Sequence, residues 1–330
     1  MKEKSCHIKT SIGGQALIEG VMMRGPQKTA MTVRNPEGEL VVEEWETEVG
    51  TRAKIFKLPF IRGIFNFVDS MRFGYKCLMR SAEIAGLEDE PKDKSPKAGS
   101  ETVTEKEEKG ESGSGVMNVI MVVAAVLAVI LAVGLFIALP SFLYTLLGRW
   151  IPFFSQDKRF LRAAFEGILK IVVLVAYLAL VSLMKDIRRT FMFHGAEHKT
   201  IFCYESGLEL TVENVRNQRR FHPRCGTSFL ILMVLVGILV GMLIPTSIGD
   251  FTIPTYLRVI IRLLCLPLIM GIGYELIKFA GKHDNLLTKI ISAPGVWLQR
   301  LTVLEPDDDM IECAISSMKR VIPEDGSDKF

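Results

Sequence analysis

The stretch VMNVIMVVAAVLAVILAVGLFIALPSFLYTLL fills residues Val116–Leu147 and contains no charged side chain. Because roughly 20 apolar residues are enough for one helix to cross a bilayer, this stretch has length to spare for tilt or for a kink at Pro140. Three further apolar stretches of spanning length follow, at Ala163–Met184, Ser228–Ser247 and Tyr256–Phe279. The pattern predicts four transmembrane helices.

Charges in the connecting segments predict the orientation of these helices. The first seven residues lack the apolar core of a signal peptide, which favours a cytosolic amino terminus. The 185–227 loop carries eight Lys and Arg residues, whereas the Gly249–Thr255 loop carries none. Because basic loops stay in the cytosol, we expect both termini inside, although the basic residues of the first outer loop disagree. A net charge of +3 gives no nucleic-acid signature, and we expect no nucleic-acid partner.

Residues 1–87 predict a small cytosolic α+β domain. Thr29–Val33 and Leu40–Trp45 have the composition of two strands, and a turn-forming string joins them into a β-hairpin. A helix is predicted over Phe60–Ala85, with apolar residues at helical spacing and many basic residues. Two placements of this helix are open and compatible: it lies on the anionic inner leaflet, or it packs its apolar face on the hairpin.

The remaining organisation follows from composition. Residues 88–115 are rich in Glu, Lys, Ser and Gly and lack aromatic residues, which predicts a disordered linker. Residues 116–280 form the predicted membrane domain, with the 185–227 loop on the cytosolic side. Residues 281–330 form a cytosolic tail, in which acids at 307–309 precede apolar residues at helical spacing and so predict a helix. The expected fold class is an α-helical polytopic membrane protein with a small N-terminal α+β domain.

A glycine-rich string, GGQALIEGVMMRGP, occupies Gly13–Pro26 and matches neither dinucleotide nor P-loop motifs. One hypothesis is a loop that lies against a site in the membrane domain and offers Glu19 or Arg24 to it. The alternative, which we favour, is a set of tight turns that dock the small domain.

The strongest chemical signal is His194-Gly-Ala-Glu197-His198, just after the second predicted span. Residues four apart on a helix project from the same side, so both imidazoles could hold one metal ion with Glu197 as a base. The third ligand is left open among His222, Cys225 and Glu275, all near the same membrane boundary in the predicted topology. We expect a divalent metal ion, with zinc favoured, and Arg224 as a contact for an anionic substrate group.

Three strings resemble the YqhQ family of bacterial multi-pass membrane proteins: Gly13–Pro26, His194–Thr200 and His222–Thr227, with Gln299–Asp309 fitting as well. The resemblance implies a location in the bacterial cytoplasmic membrane. Members of that family have no assigned reaction and are often described as predicted metal-dependent enzymes. The resemblance makes His194, Glu197, His198, His222 and Cys225 the natural site residues.

The sequence therefore supports two hypotheses for the function. The first is a membrane-embedded metal-dependent hydrolase that acts at the cytosolic face on a lipid-linked or membrane-proximal substrate. The second is a non-catalytic scaffold or assembly factor that binds a protein partner through its cytosolic domain and tail. Membrane lipids are expected partners of either. A transporter is less favoured, because few charged residues fall near the membrane interior.

Overall fold

The structure is a computed structural model that describes residues 8–47, 58, 61–87, 114–155, 159–223, 225–245, 247–248, 251–283 and 285–329. Contacts divide the described chain into two compact units, one from residues 114–166 and one from the residues before 88 and after 166. Most of the predicted linker, residues 88–113, lies outside the described residues, as does Arg224.

Helices dominate the described chain. They are α1 (Ile61–Ile84), α2 (Ser114–Val133), α3 (Leu139–Trp150), α4 (Pro152–Ser155), α5 (Arg159–Val181), α6 (Lys185–Glu205), α7 (Val212–Arg216), α8 (Gly226–Leu243), α9 (Thr255–Leu264), α10 (Leu266–Lys282), α11 (Leu286–Thr302) and α12 (Asp308–Val321). A π-helical turn at Gly134–Ala138 joins α2 to α3 just before Pro140, where the sequence allowed a kink.

Three helical segments are long and apolar enough to cross a membrane: Val123–Trp150, Phe160–Val181 and Gly226–Leu243. Helices α9 and α10 meet at a bend of 44°, and together they would make a fourth span that is broken at the bend. These candidate spans coincide with the four apolar stretches of the sequence. Length and composition therefore agree with a membrane protein, while the orientation of the termini stays a prediction.

The amino-terminal strands form a four-stranded antiparallel sheet rather than a lone hairpin. Its strands are β1 (Gly13–Leu17), β2 (Gly20–Arg24), β3 (Lys28–Arg34) and β4 (Leu40–Glu46), paired in chain order. A separate two-stranded pair, β5 (Ser247–Ile248) and β6 (Phe251–Thr252), joins α8 to α9. The glycine-rich string supplies β1 and β2, so the expectation of tight turns holds only for the turn between these two strands.

Both faces of the sheet are covered. Val21, Met23 and Ala30 pack with residues of α6 and α12, whereas Met22 and Met31 pack on the opposite side against Cys77 of α1. Strands buried on both faces lack the polar alternation that marks an exposed strand. Strand β3 is buried on both faces as well, and its Thr and Val residues are what indicated it, whereas β1 and β2 begin with glycine, which is depleted in strands.

Helices α6 and α12 share one core with the sheet. Phe193 and Cys203 of α6 lie in it, and so do Met310, Ile311 and Met318 of α12. The helix predicted from the acids at 307–309 is therefore present, and its apolar face is buried in the molecule. The predicted division at residue 87 stays a prediction, but residues on either side of it contribute to one core.

Helix α1, predicted over Phe60–Ala85, connects the sheet to α10. Its carboxyl-terminal half packs on the sheet through Cys77, and its first turn contacts α10, where Gly63 lies against Tyr274. Phe65, Val68, Met71 and Tyr75 remain exposed on the same helix. Packing on the strands is thus confirmed for the carboxyl-terminal half of α1, whereas part of its predicted apolar face is exposed and the placement on the inner leaflet stays a prediction.

Candidate metal centre

Helix α6 brings the first three site residues together. His194, Glu197 and His198 lie on consecutive turns of this helix, and the ring centroids of the two histidines are 4.4 Å apart. Glu197 and His198 are almost completely buried. The prediction that these side chains share one helix face is confirmed.

Cys225 closes the cluster from a different part of the chain. It is the N-cap residue of α8, and its sulfur accepts a hydrogen bond from the Thr227 backbone amide. The same sulfur lies 3.1 Å from Nε2 of His194. One ligand atom from each of His194, His198 and Cys225 lies within 4.8 Å of the others. These three side chains form the cluster that we call the His-His-Cys centre.

Backbone carbonyls determine which histidine nitrogens face the cysteine. Nδ1 of His194 lies 2.9 Å from the carbonyl of Thr302, and Nδ1 of His198 lies 2.6 Å from that of Arg220. A carbonyl only accepts, so each Nδ1 must carry the proton. In a neutral ring this leaves Nε2 with a free lone pair, as in histidines that bind metal through one nitrogen and donate from the other. The donor set suits a transition metal such as zinc.

The electrostatics of the cluster favour the ligand form of the cysteine. Burial acts to raise the pKa of the Cys225 thiol, but the neighbouring His194 and His198 outweigh burial and hold that pKa well below its usual value. Burial likewise acts to lower the pKa of His194, and the adjacent Cys225 sulfur reverses this and raises it to about 9. In the absence of a metal ion, these two opposite shifts favour a Cys225 thiolate beside a protonated His194.

Glu197 is held against the first strand of the sheet. Its carboxylate accepts a hydrogen bond from the Gly14 amide, and a Cβ on Gly14 would approach Glu197 Cγ to 2.8 Å. Burial raises the pKa of Glu197, and the neighbouring histidines and the Gly14 amide only partly offset this. A carboxyl group with a raised pKa beside three ligand atoms is suited to proton transfer. The glycine-rich string thus contacts the site, but through Gly14 and not through Glu19 or Arg24.

Glu19 and Arg24 contact other parts of the molecule. Glu19 forms a bidentate ion pair with Arg189 of α6, in which Arg189 Nη2 donates to Oε2 at 2.6 Å. Glu19 also has a positive φ of 52° in the turn between β1 and β2. Arg24 lies over the ring of Phe73. The hypothesis that either side chain reaches the site is not supported by these contacts.

His222 lies beside the centre rather than in it. Its ring centroid is 5.7 Å from that of His198, and its Nε2 is 3.5 Å from a carboxylate oxygen of Glu205. Its backbone amide donates to Gln299, whose side-chain amide donates back to the His222 carbonyl. His222 thus supports the chain between His198 and Cys225, and of the open candidates for third ligand only Cys225 belongs to the cluster.

Glu275, the other candidate ligand, forms a salt bridge with an arginine. Arg62 of α1 donates from Nε and Nη2 to its two carboxylate oxygens, at 2.8 and 2.5 Å. A bidentate arginine pair neutralises the carboxylate and fixes its direction. The expectation of Glu275 as a metal ligand is thus replaced by a salt bridge between α1 and α10. The role predicted for Arg224 stays a prediction, since Arg224 lies outside the described residues.

Three supporting contacts made by residues 299–304 were not found from the sequence. They are the carbonyl of Thr302, the side chain of Gln299 and the close contact at Gly195, where an added Cβ would lie 1.9 Å from the Leu304 carbonyl oxygen. Gln299 and Leu304 belong to the tail string that resembled the YqhQ family. That string was the available signal, although nothing in its spacing connects it to His194.

The fold and the cluster together define a class: a mainly helical protein with three or four membrane-length apolar helices and a His-His-Cys centre. Residues 58–324 match the family described as "Protein of unknown function (DUF1385)", and the chain belongs to this family. It is 35% identical over 317 residues, 96% of this chain and 93% of the relative, to "Uncharacterized protein YqhQ" of Bacillus subtilis (strain 168). The resemblance to YqhQ is therefore confirmed. No solved structure matches the chain.

Proposed function

We propose that this protein is a membrane-embedded, metal-dependent enzyme, a hydrolase acting at the cytosolic face on a lipid-linked or membrane-proximal substrate. The observation that carries the proposal is the convergence of His194, His198 and Cys225 beside the buried carboxyl of Glu197. Zinc is the favoured ion, because two imidazoles and one thiolate match its ligand preference.

Each residue has a separate role in this proposal. His194, His198 and Cys225 would hold the ion, and a bound Zn²⁺ ion would supply an activated water for hydrolysis near neutral pH. Glu197 accepts a proton at its carboxylate and delivers it to the leaving group. The carbonyls of Thr302 and Arg220 keep the two imidazoles oriented throughout.

A non-catalytic protein with a structural metal site is the second candidate. Its support is the burial of the ligands, since Cys225 is 7% and His198 is 2% exposed. A structural site is closed by four protein ligands, whereas a catalytic site keeps a position for water. The scaffold hypothesis that uses the tail gains no support from α12, because its apolar residues are already packed against α6 and the sheet.

The first experiment measures metal content by elemental mass spectrometry on detergent-purified protein. Wild type should contain near-stoichiometric zinc, and His194→Ala, His198→Ala and Cys225→Ala should each lose it. His283→Ala and Cys265→Ala are matched controls, because they remove the same residue types outside the centre. Metal that persists in all three cluster variants would refute the site.

A second experiment separates the two candidates without a known substrate. Cobalt-substituted protein is titrated by visible absorption, which reports the geometry around the ion. An enzyme site should show a transition near pH 7 from the ionising water, and Glu197→Gln should move its midpoint. A spectrum that does not change with pH would support a closed structural site. In a deletion strain, full complementation by Glu197→Gln would likewise exclude a catalytic role for Glu197.

A further inference from the structure

A basic groove lies next to the residues that flank His222. It is an open cavity of about 420 Å³ between Phe221 and Pro223 on one side and helix α11 on the other. Lys289, Trp297 and Arg300 of α11 line it. Its volume is within the range of small-ligand sites. We call it the α11 groove.

The charges of the α11 groove are not neutralised within the described part of the chain. Neither Lys289 nor Arg300 forms an ion pair with a carboxylate of a described residue. The sequence of α11 contains no Asp or Glu. Residues 219–223, which include Phe221 and Pro223 on the other side of the groove, also lack acids. The groove therefore presents positive charge to a ligand.

An apolar stripe runs along α11 beside these cations. Leu286, Ile290 and Trp297 are 74%, 61% and 55% exposed, and their spacing places them within about 40° of one another around the helix. Lys289 and Arg300 fall on one flank of this stripe, since each lies three residues after a stripe residue. The opposite face is buried and includes Gly295, which contacts Ser228 in the first turn of α8.

These features fit a helix at a membrane surface. An interfacial helix presents apolar residues to the acyl chains and Trp, Lys and Arg to the headgroups. The contact with Ser228 places part of α11 against the beginning of a candidate span. A soluble anion would use the cations but not the apolar stripe, whereas an anionic lipid uses both.

We propose that the α11 groove binds the phosphate-bearing headgroup of an anionic phospholipid, with the apolar stripe against its acyl chains. Lys289 and Arg300 contact the phosphate, and Trp297 lies at the boundary between headgroup and chains. The site does not require a bound metal. One further step rests on the proposed function and deepens it. If the protein acts on a lipid-linked substrate, the α11 groove would hold that substrate beside His222.

The test uses Trp297 as the reporter. Trp45→Phe and Trp150→Phe leave Trp297 as the single tryptophan of the full chain, reconstituted in bilayers. Its fluorescence is quenched by brominated phosphatidylglycerol or by brominated phosphatidylcholine, which carry bromine at the same acyl positions. We expect half-maximal quenching at roughly tenfold lower mole fraction of the anionic lipid, because two basic side chains contribute.

Charge variants then test whether Lys289 and Arg300 cause the preference for the anionic lipid. Lys289→Gln with Arg300→Gln should reduce it to less than about twofold, whereas Lys28→Gln with Lys319→Gln, which changes the same charge on β3 and α12, should preserve it. Equal quenching by both lipids, or a preference that survives in the α11 variant, would overturn the proposal. Loss of the preference in about 10 mM inorganic phosphate at constant ionic strength would assign the groove to a soluble phosphate instead. Metal content measured in the same samples separates failure of this site from failure of the metal centre.

Discussion

Two groups of ionisable side chains lie next to candidate spans, and they differ in what completes them. Arg62 and Glu275 form a bidentate pair in which each charge has its opposite. His194, His198 and Cys225 instead direct electron-pair donors toward one another, with both Nδ1 positions already used by carbonyls. The first group is complete without a ligand, whereas the second needs a proton or a cation. A metal site is therefore identified by ligand atoms that point toward one another, and not by ionisable residues that lie near a span.

The largest effect should come from removing the thiolate. Cys225→Ala should weaken zinc binding by more than about 100-fold, because loss of a mere supporting group already costs 10- to 100-fold. Glu275→Gln should change the zinc affinity less than about twofold, since Glu275 lies outside the cluster. Competition with a chromophoric chelator measures both. Equal weakening by the two substitutions would contradict the distinction between the groups.

A substitution that adds only a methyl group should also break the centre. In Gly195→Ala the new Cβ meets the Leu304 carbonyl oxygen, a backbone atom that cannot rotate away. We expect a loss of about 3 kcal/mol in the free energy of unfolding, with weaker zinc binding because Thr302 is displaced from His194. Gly241→Ala, which has open space at its Cβ, is the control. Thermal unfolding in detergent compares them, and equal melting temperatures would refute the close contact.

The sequence predicted part of this arrangement. Spacing placed His194 and His198 on one face of a helix, and the acids at 307–309 indicated α12. The role of Glu275 depended on a tertiary contact and could not be predicted. The sequence offered Glu275 as a candidate metal ligand, and only the fold shows that Arg62, 213 residues away, pairs with it.

The strands β1 and β2 were missed because of their composition. Both begin with glycine and contain few β-branched or aromatic residues, so they lack the residue types that are enriched in strands. The contact between Gly14 and Glu197 follows from this hidden strand pair. Gly14 belongs to no recognised motif, so nothing in the sequence indicates that it lies against the carboxylate of Glu197.

Zinc binding should depend on pH with a definite sign. The pKa of His194 is about 9 in the metal-free centre, whereas that of Cys225 is well below its usual value. Because these shifts favour a Cys225 thiolate beside a protonated His194, the His194 proton must leave when the ion binds. The affinity should therefore rise about tenfold per pH unit up to about 9. Calorimetry in buffers of different ionisation enthalpy should detect release of one proton, and release of none would contradict the thiolate–imidazolium state.

The smallest effect should come from the pair that needs no ligand. The side chains of Arg62 and Glu275 are 29% and 23% exposed, so the pair is only partly buried by the rest of the protein. A double-mutant cycle with Arg62→Ala and Glu275→Ala should give a coupling free energy of about 1 kcal/mol by thermal unfolding. Neither variant should lose zinc. A coupling near zero would mean that the pair only fills space between α1 and α10, and loss of zinc in both would mean that this contact also positions the metal centre.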